Sequence, residues 1–153
     1  MRLGGAPAAW PKYWKRQRED TDLTTKRAQA LSRIAASVFI LFGLLGFLPN
    51  PIVGADGYFL ANTQHNLLNL VVGAILLAGS GGESRAAMTL FYMAGINVAL
   101  AILTYAQVGF TSYVDVFGVI RLNFPHAWLH ASLGVLLAVS GLLNTARQQL
   151  FWD

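Results

Sequence analysis

Apolar positions in this chain gather into four blocks separated by short polar stretches. The first runs from Ile34 to Leu48, with Ala28, Ala30 and Leu31 before it, and Pro49-Asn50-Pro51 stops it. Proline removes a backbone donor and disfavours helix at the residue before it, so this double break ends a helix cleanly. The other blocks predict spans at about 63–79, 86–107 and 125–145, after a first at about 28–48. Each is close to the roughly 20 residues that a helix needs to cross a bilayer core. The pattern predicts an all-α chain, a bundle of four transmembrane helices.

Two of these helices open on the same residues. Asn62, His65, Leu68 and Gly73 recur 61 positions later as Asn123, His126, Leu129 and Gly134. Where the first copy has Asn69, the second has His130. The repeat predicts two helical hairpins of the same direction, related by an axis along the membrane normal. The polar starts of the second and fourth helices then lie at one depth and can converge. Asn62 and Asn123 are suited to cap these helices, with Pro125 harmless in the first turn of the last.

Composition sharpens this picture. Of 153 residues, 55% are hydrophobic and 12% charged, too little charge for the surface of a soluble domain of this size. The net charge is +4, and eight of the eleven Lys and Arg residues precede position 34. The first 33 residues, the 80–85 turn and the C-terminus hold all but Arg121, which predicts cytoplasmic termini by the positive-inside bias. Such clustering points to anionic lipid rather than to nucleic acid. The first apolar run follows a long polar stretch and no small-residue cleavage site succeeds it, so this span is expected to be retained. The chain has no cysteine, which removes disulfide and thiolate chemistry.

Residues 1–22 read as a basic, aromatic cytoplasmic tail, distinct from the bundle over 23–153. Asp22 or Thr24 is the expected cap of the first helix. Trp10, Tyr13 and Trp14 are rings of the kind enriched at membrane interfaces, and Lys15 and Arg16 accompany them. These five are the candidate contacts to a partner or to headgroups.

The candidate polar positions within the spans are His65, Asn66, Asn69, Asn97, His126 and His130. Interhelical hydrogen bonding that fixes the bundle's register accounts for them. The alternative is ligation through His65, His126 or His130 of a haem iron or the magnesium of a chlorophyll-type pigment. His126 and His130 share a helix face, but no Cys, Asp or Glu stands nearby in sequence to complete a metal's first shell. No cofactor and no dedicated metal site are therefore expected. No acid lies in a span, and no phosphate loop or nucleophile motif occurs, so an enzyme is not expected. A permease, the third reading, would need a polar path near Asn97.

His65-Asn66-Leu67-Leu68 opening the second span, His126-Ala127-Trp128-Leu129-His130 with Gly134 in the fourth, and Gly43 to Pro49 closing the first together resemble a bacterial family of small four-helix membrane proteins of unknown function. The resemblance covers about residues 28–145 and departs at Asn69, where family members often carry a second histidine. It implies a multi-pass protein of the bacterial cytoplasmic membrane and transfers no activity. The expectation that results is a non-catalytic accessory subunit of a larger membrane complex, with photosynthetic or respiratory energy-converting complexes as the analogy. Its partners would be other integral membrane proteins and anionic lipid.

Overall fold

The structure, a computed structural model, describes residues 12–108 and 112–149, with side chains described over 27–108 and 112–142. Trp10 lies outside the described residues, as do the side chains of Tyr13, Trp14, Lys15 and Arg16.

Among the described residues the chain forms four α-helices and two small two-stranded ladders. These are α1 (Lys12–Leu45), β1 (Val53–Gly54), β2 (Phe59–Leu60), α2 (Thr63–Gly79), α3 (Glu83–Val108), β3 (Tyr113–Val116), β4 (Ile120–Asn123) and α4 (Phe124–Gln149). Among the described residues two helical segments, Arg27–Leu45 and Glu83–Val108, are long and apolar enough to cross a membrane. The tightest pairings are α3 with α4 and α1 with α2, the two hairpins of the sequence repeat.

Two elements differ from the sequence expectation. First, α1 does not start at Asp22 or Thr24 but runs as one helix from Lys12. Residues 12–22 contain no Pro or Gly after Pro11, and Lys, Arg, Gln and Glu are good helix formers. Lys15–Glu19, Arg16–Asp20 and Arg18–Asp22 also have the i,i+4 spacing of opposite charges.

Second, the chain is not purely helical. β1 and β2 pair parallel, Val53 with Phe59. β3 and β4 form an antiparallel hairpin, Tyr113 opposite Asn123 and Val116 opposite Ile120. At its tip Phe117 and Gly118 both take positive φ, 55° and 67°, so the turn holds a non-glycine residue in the left-handed region. The hairpin is anchored by its own small core, Val114, Val116 and Leu122 packed on Leu100 and Leu103 of α3. Arg121 crosses the ladder to Asp115 at 3.0 and 3.3 Å and lies 4.5 Å from the Tyr113 ring centroid. The hydrogen bond to that carboxylate holds the guanidinium above its ordinary pKa.

The helical core is made of small and medium side chains: Ala35, Ala36, Phe39, Leu76, Leu90, Met93, Ala94 and Leu137. Small residues let the helix backbones approach closely. A Cβ at Gly73 would lie 3.0 Å from the Ala36 carbonyl oxygen, and one at Gly134 would lie 3.3 Å from the Ala94 carbonyl oxygen. The two hairpins thus use equivalent glycines for the same close crossing.

Polar side chains share the interior with this apolar core, and large apolar side chains face outward. The buried side chains include Ser32, His65, Asn66, Asn69, Asn97, Thr104, His126 and His130, whereas Leu41, Leu67, Val71, Ile102, Leu136 and Val139 are exposed.

Candidate functional site

The site is assembled where the two β ladders close over the starts of α2 and α4. Asn62 is the N-cap of α2, its side-chain oxygen accepting from the His65 amide at 3.0 Å. The same side chain reaches the opposite hairpin. Its Nδ2 donates to the Val119 carbonyl at 2.8 Å, and its Oδ1 accepts from the Arg121 amide at 3.4 Å.

Asn123 returns the arrangement. Its Nδ2 donates to the Tyr58 carbonyl at 2.8 Å, and its Oδ1 accepts from the Leu60 amide at 3.4 Å. Every member of this exchange shifts by 61 residues between copies: 62 and 123, 58 and 119, 60 and 121. Each repeat therefore clasps the strand that precedes the other repeat's helix.

Asn123 does not serve as the plain helix cap expected of it. Its Oδ1 also contacts His126 Nδ1 at 2.8 Å, while the Asn123 amide lies 3.4 Å from the same nitrogen. Because Asn123 Nδ2 is committed to a carbonyl, the atom facing the imidazole is an acceptor, so His126 Nδ1–H donates.

Beneath the clasp lie the three imidazoles, each no more than 4% exposed. Ring centroids are 4.9 Å apart for His65 and His126, 5.8 Å for His126 and His130, and 6.3 Å for His65 and His130. His65 Nδ1–H donates to the Arg121 carbonyl at 2.9 Å, since a carbonyl can only accept. His130 Nδ1 lies 2.8 Å from Asn97 Oδ1, and Asn97 Nδ2 donates to the Met93 carbonyl at 2.8 Å. That second bond fixes the amide orientation, so His130 also donates from Nδ1. In the neutral form all three rings therefore carry their acceptor lone pair on Nε2.

A cavity of about 20 Å³ lies among these rings, Asn69, Phe39 and Leu133. It has room for about one water molecule, since one needs about 10–15 Å³. A haem or chlorophyll-type macrocycle does not fit within it. Among the described residues no group of three or more His, Cys, Asp or Glu side chains is arranged to hold a metal ion.

Of the sequence candidates, the structure brings together His65, His126, His130, Asn62, Asn69, Asn97 and Asn123. Asn66 stands apart. It is buried toward α1, its Nδ2 donating to the Gly46 carbonyl at 2.8 Å.

Sequence reasoning missed Asn50. Its Nδ2 donates to the carbonyls of Leu45, Leu48 and Val53, and its Oδ1 accepts from the amides of Ile52 and Val53. It closes α1 and shapes the first outer loop. An asparagine held between two prolines, whose rings offer no donors, was the available signal. Ser32 was missed too. Fully buried, it donates to the Leu76 carbonyl at 2.7 Å in the last turn of α2, a carbonyl that also accepts from the Ser80 amide at 3.1 Å.

A family model described as a domain of unknown function, DUF4383, matches residues 29–143, and the chain belongs to that family. The match opens inside α1 and leaves the basic start of that helix outside it. No curated protein and no solved structure matches the chain.

Proposed function

With membership of that family as the premise, we propose that this chain is a four-span membrane bundle serving as a non-catalytic accessory subunit of a larger membrane complex. The observation that carries the reading is the apolar outer surface: every helix presents large apolar side chains outward, while histidine and asparagine face inward. In water such a surface would aggregate, whereas in lipid the outward face is solvated and the inward polar groups pair with one another. Helix α2, with 17 residues, is about 25 Å long, which a locally thinned bilayer or flanking polar residues accommodate.

Two features support a partner. Before Arg27, α1 carries 15 helical positions, about 22 Å of helix, that hold Lys12, Lys15, Arg16, Arg18 and Lys26. A basic stalk of that length reaches beyond the headgroups to a protein surface. Between α3 and α4 a groove of about 300 Å³ is floored by Ala101, Ala127 and Ala131 and walled by Ile102, Tyr105 and Trp128. Alanine floors admit a neighbouring helix closely.

In this reading both termini are cytoplasmic. The absence of cysteine makes the topology directly testable. Asp56→Cys in intact cells is expected to react with a membrane-impermeant maleimide, and Ser84→Cys only after lysis. Labelling of both in intact cells ends the four-span arrangement.

The partner is tested by removing residues 1–22. The truncated chain is expected to reach the membrane yet lose most of its co-purification with the native complex. Co-purification in full amount overturns the stalk's role.

A further inference from the structure

We infer that the histidine cavity binds one single-centre, neutral hydrogen-bond donor, water or ammonia. His130 supplies the first reason. Its Nε2 is fully buried and has no hydrogen-bond partner among the described residues, and the ring lines the cavity. A buried acceptor left in that condition retains its desolvation cost, and native proteins usually satisfy such groups.

The tautomers supply the second. Asn97 holds His130 by Nδ1, the Arg121 carbonyl holds His65 by Nδ1, and Asn123 holds His126 by Nδ1. On a neutral imidazole this leaves Nε2 as the acceptor. The three rings thus offer acceptors, not donors, to the space they line. Such a space selects a molecule that donates to the rings, and Asn69, whose amide can donate or accept, is the fourth polar side chain beside it.

Size and charge narrow the choice. The cavity measures about 20 Å³, enough for one heavy atom with its hydrogens and little more. Around it stand His65, Asn69, His126 and His130, against apolar side chains of α1 and α4. No carboxylate is among them to balance a cation, and an unpaired charge in so dry a place is expensive. The exposed Asp115 is already engaged by Arg121. A neutral guest follows. The inference stands apart from the accessory-subunit reading, since the cavity would hold its guest whether or not the chain has a partner.

The test is nuclear magnetic resonance on the full chain, ¹⁵N-labelled at histidine, in lipid nanodiscs. The expected result is Nδ1–H on all three rings, pyridine-type Nε2 shifted toward hydrogen-bonded values, and magnetisation transfer from a solvent hydrogen to the His130 ring proton beside Nε2. Transfer present without added ammonium identifies water, and transfer that appears only on adding ¹⁵N-ammonium identifies ammonia. The guest also gives transfer to the ring protons beside Nε2 of His65 and His126, and in His130→Leu that transfer is expected to disappear. A proton found on His130 Nε2, or absence of transfer under both conditions, overturns the inference. So does one equivalent of zinc ion shifting all three Nε2 signals together, which would make the cavity a metal site.

Discussion

Asn123→Leu is expected to lower the unfolding free energy by about 2–4 kcal/mol, the sum of several buried polar groups losing their partners. One side chain satisfies the Tyr58 carbonyl, the Leu60 amide and His126 Nδ1–H. Leucine has nearly the same volume and leaves all three without it, in a place where Asn123 is only 9% exposed. The companion Asn62→Leu also loses three contacts, to Val119, Arg121 and the His65 amide. Asn62 is less buried, so water can replace part of what is lost, and the expected cost is about 1–2 kcal/mol, that of a helix cap. Unfolding midpoints in mixed micelles would rank the two. Equal costs would mean that burial is not what distinguishes the paired clasps. No effect at either site would mean that the ladders do not hold the helix starts together.

That exchange of asparagines is also the clearest place where the sequence announced the structure. The 61-residue repeat places Asn62 and Asn123 in matching positions, and parallel hairpins require their helix starts to meet at one end. What the repeat could not reveal is the partner of each asparagine. Helix capping is a local interaction and can be read from spacing, whereas the bonds to Val119 and Tyr58 join segments far apart in sequence. The second helix was legible to the residue, because an apolar run bounded by Asn62 and by Ser80-Gly81-Gly82 admits few other readings.

The β3–β4 hairpin was not legible, and the reasons are physical. Tyr113 to Val116 offers only four positions of alternation, too few to separate a strand from a loop. The turn carries Phe117 in a left-handed conformation, where glycine, asparagine or aspartate is the usual signal. What sustains it is packing on α3, which no local pattern reports. The start of α1 was misplaced for the opposite reason: Asp22 and Thr24 are good caps, but helix-favouring neighbours on both sides carry the helix through them. Convergence of the histidines follows from the repeat. Their common protonation pattern rests on Asn97, Arg121 and Asn123, and only the folded chain displays it.

The glycine crossings set how near the histidine-bearing helices can come to their partners, so they determine the site's dimensions from a distance. Gly73→Ala and Gly134→Ala are each expected to destabilise the bundle by about 1–3 kcal/mol, as overpacking of a tight contact does. At Gly73 the added methyl would meet Ile40 Cγ1 at 2.5 Å and the Ala36 carbonyl oxygen at 3.0 Å. At Gly134 it would meet Val98 Cγ2 at 2.7 Å and the Val98 amide nitrogen at 3.2 Å. Backbone atoms cannot swing aside, so the helices must separate or slide. Gly95 provides the control on the same helix as Val98: a methyl there has nothing within 4 Å. Gly95→Ala removes backbone freedom from the unfolded chain without a clash, and is expected to stabilise by about 0.5–1 kcal/mol. The sign difference between Gly134→Ala and Gly95→Ala, read in one unfolding titration, isolates steric fit from helix propensity. If both substitutions stabilise, α3 and α4 do not approach at Gly134 as closely as described, and the spacing of the imidazoles must be set by the clasp alone.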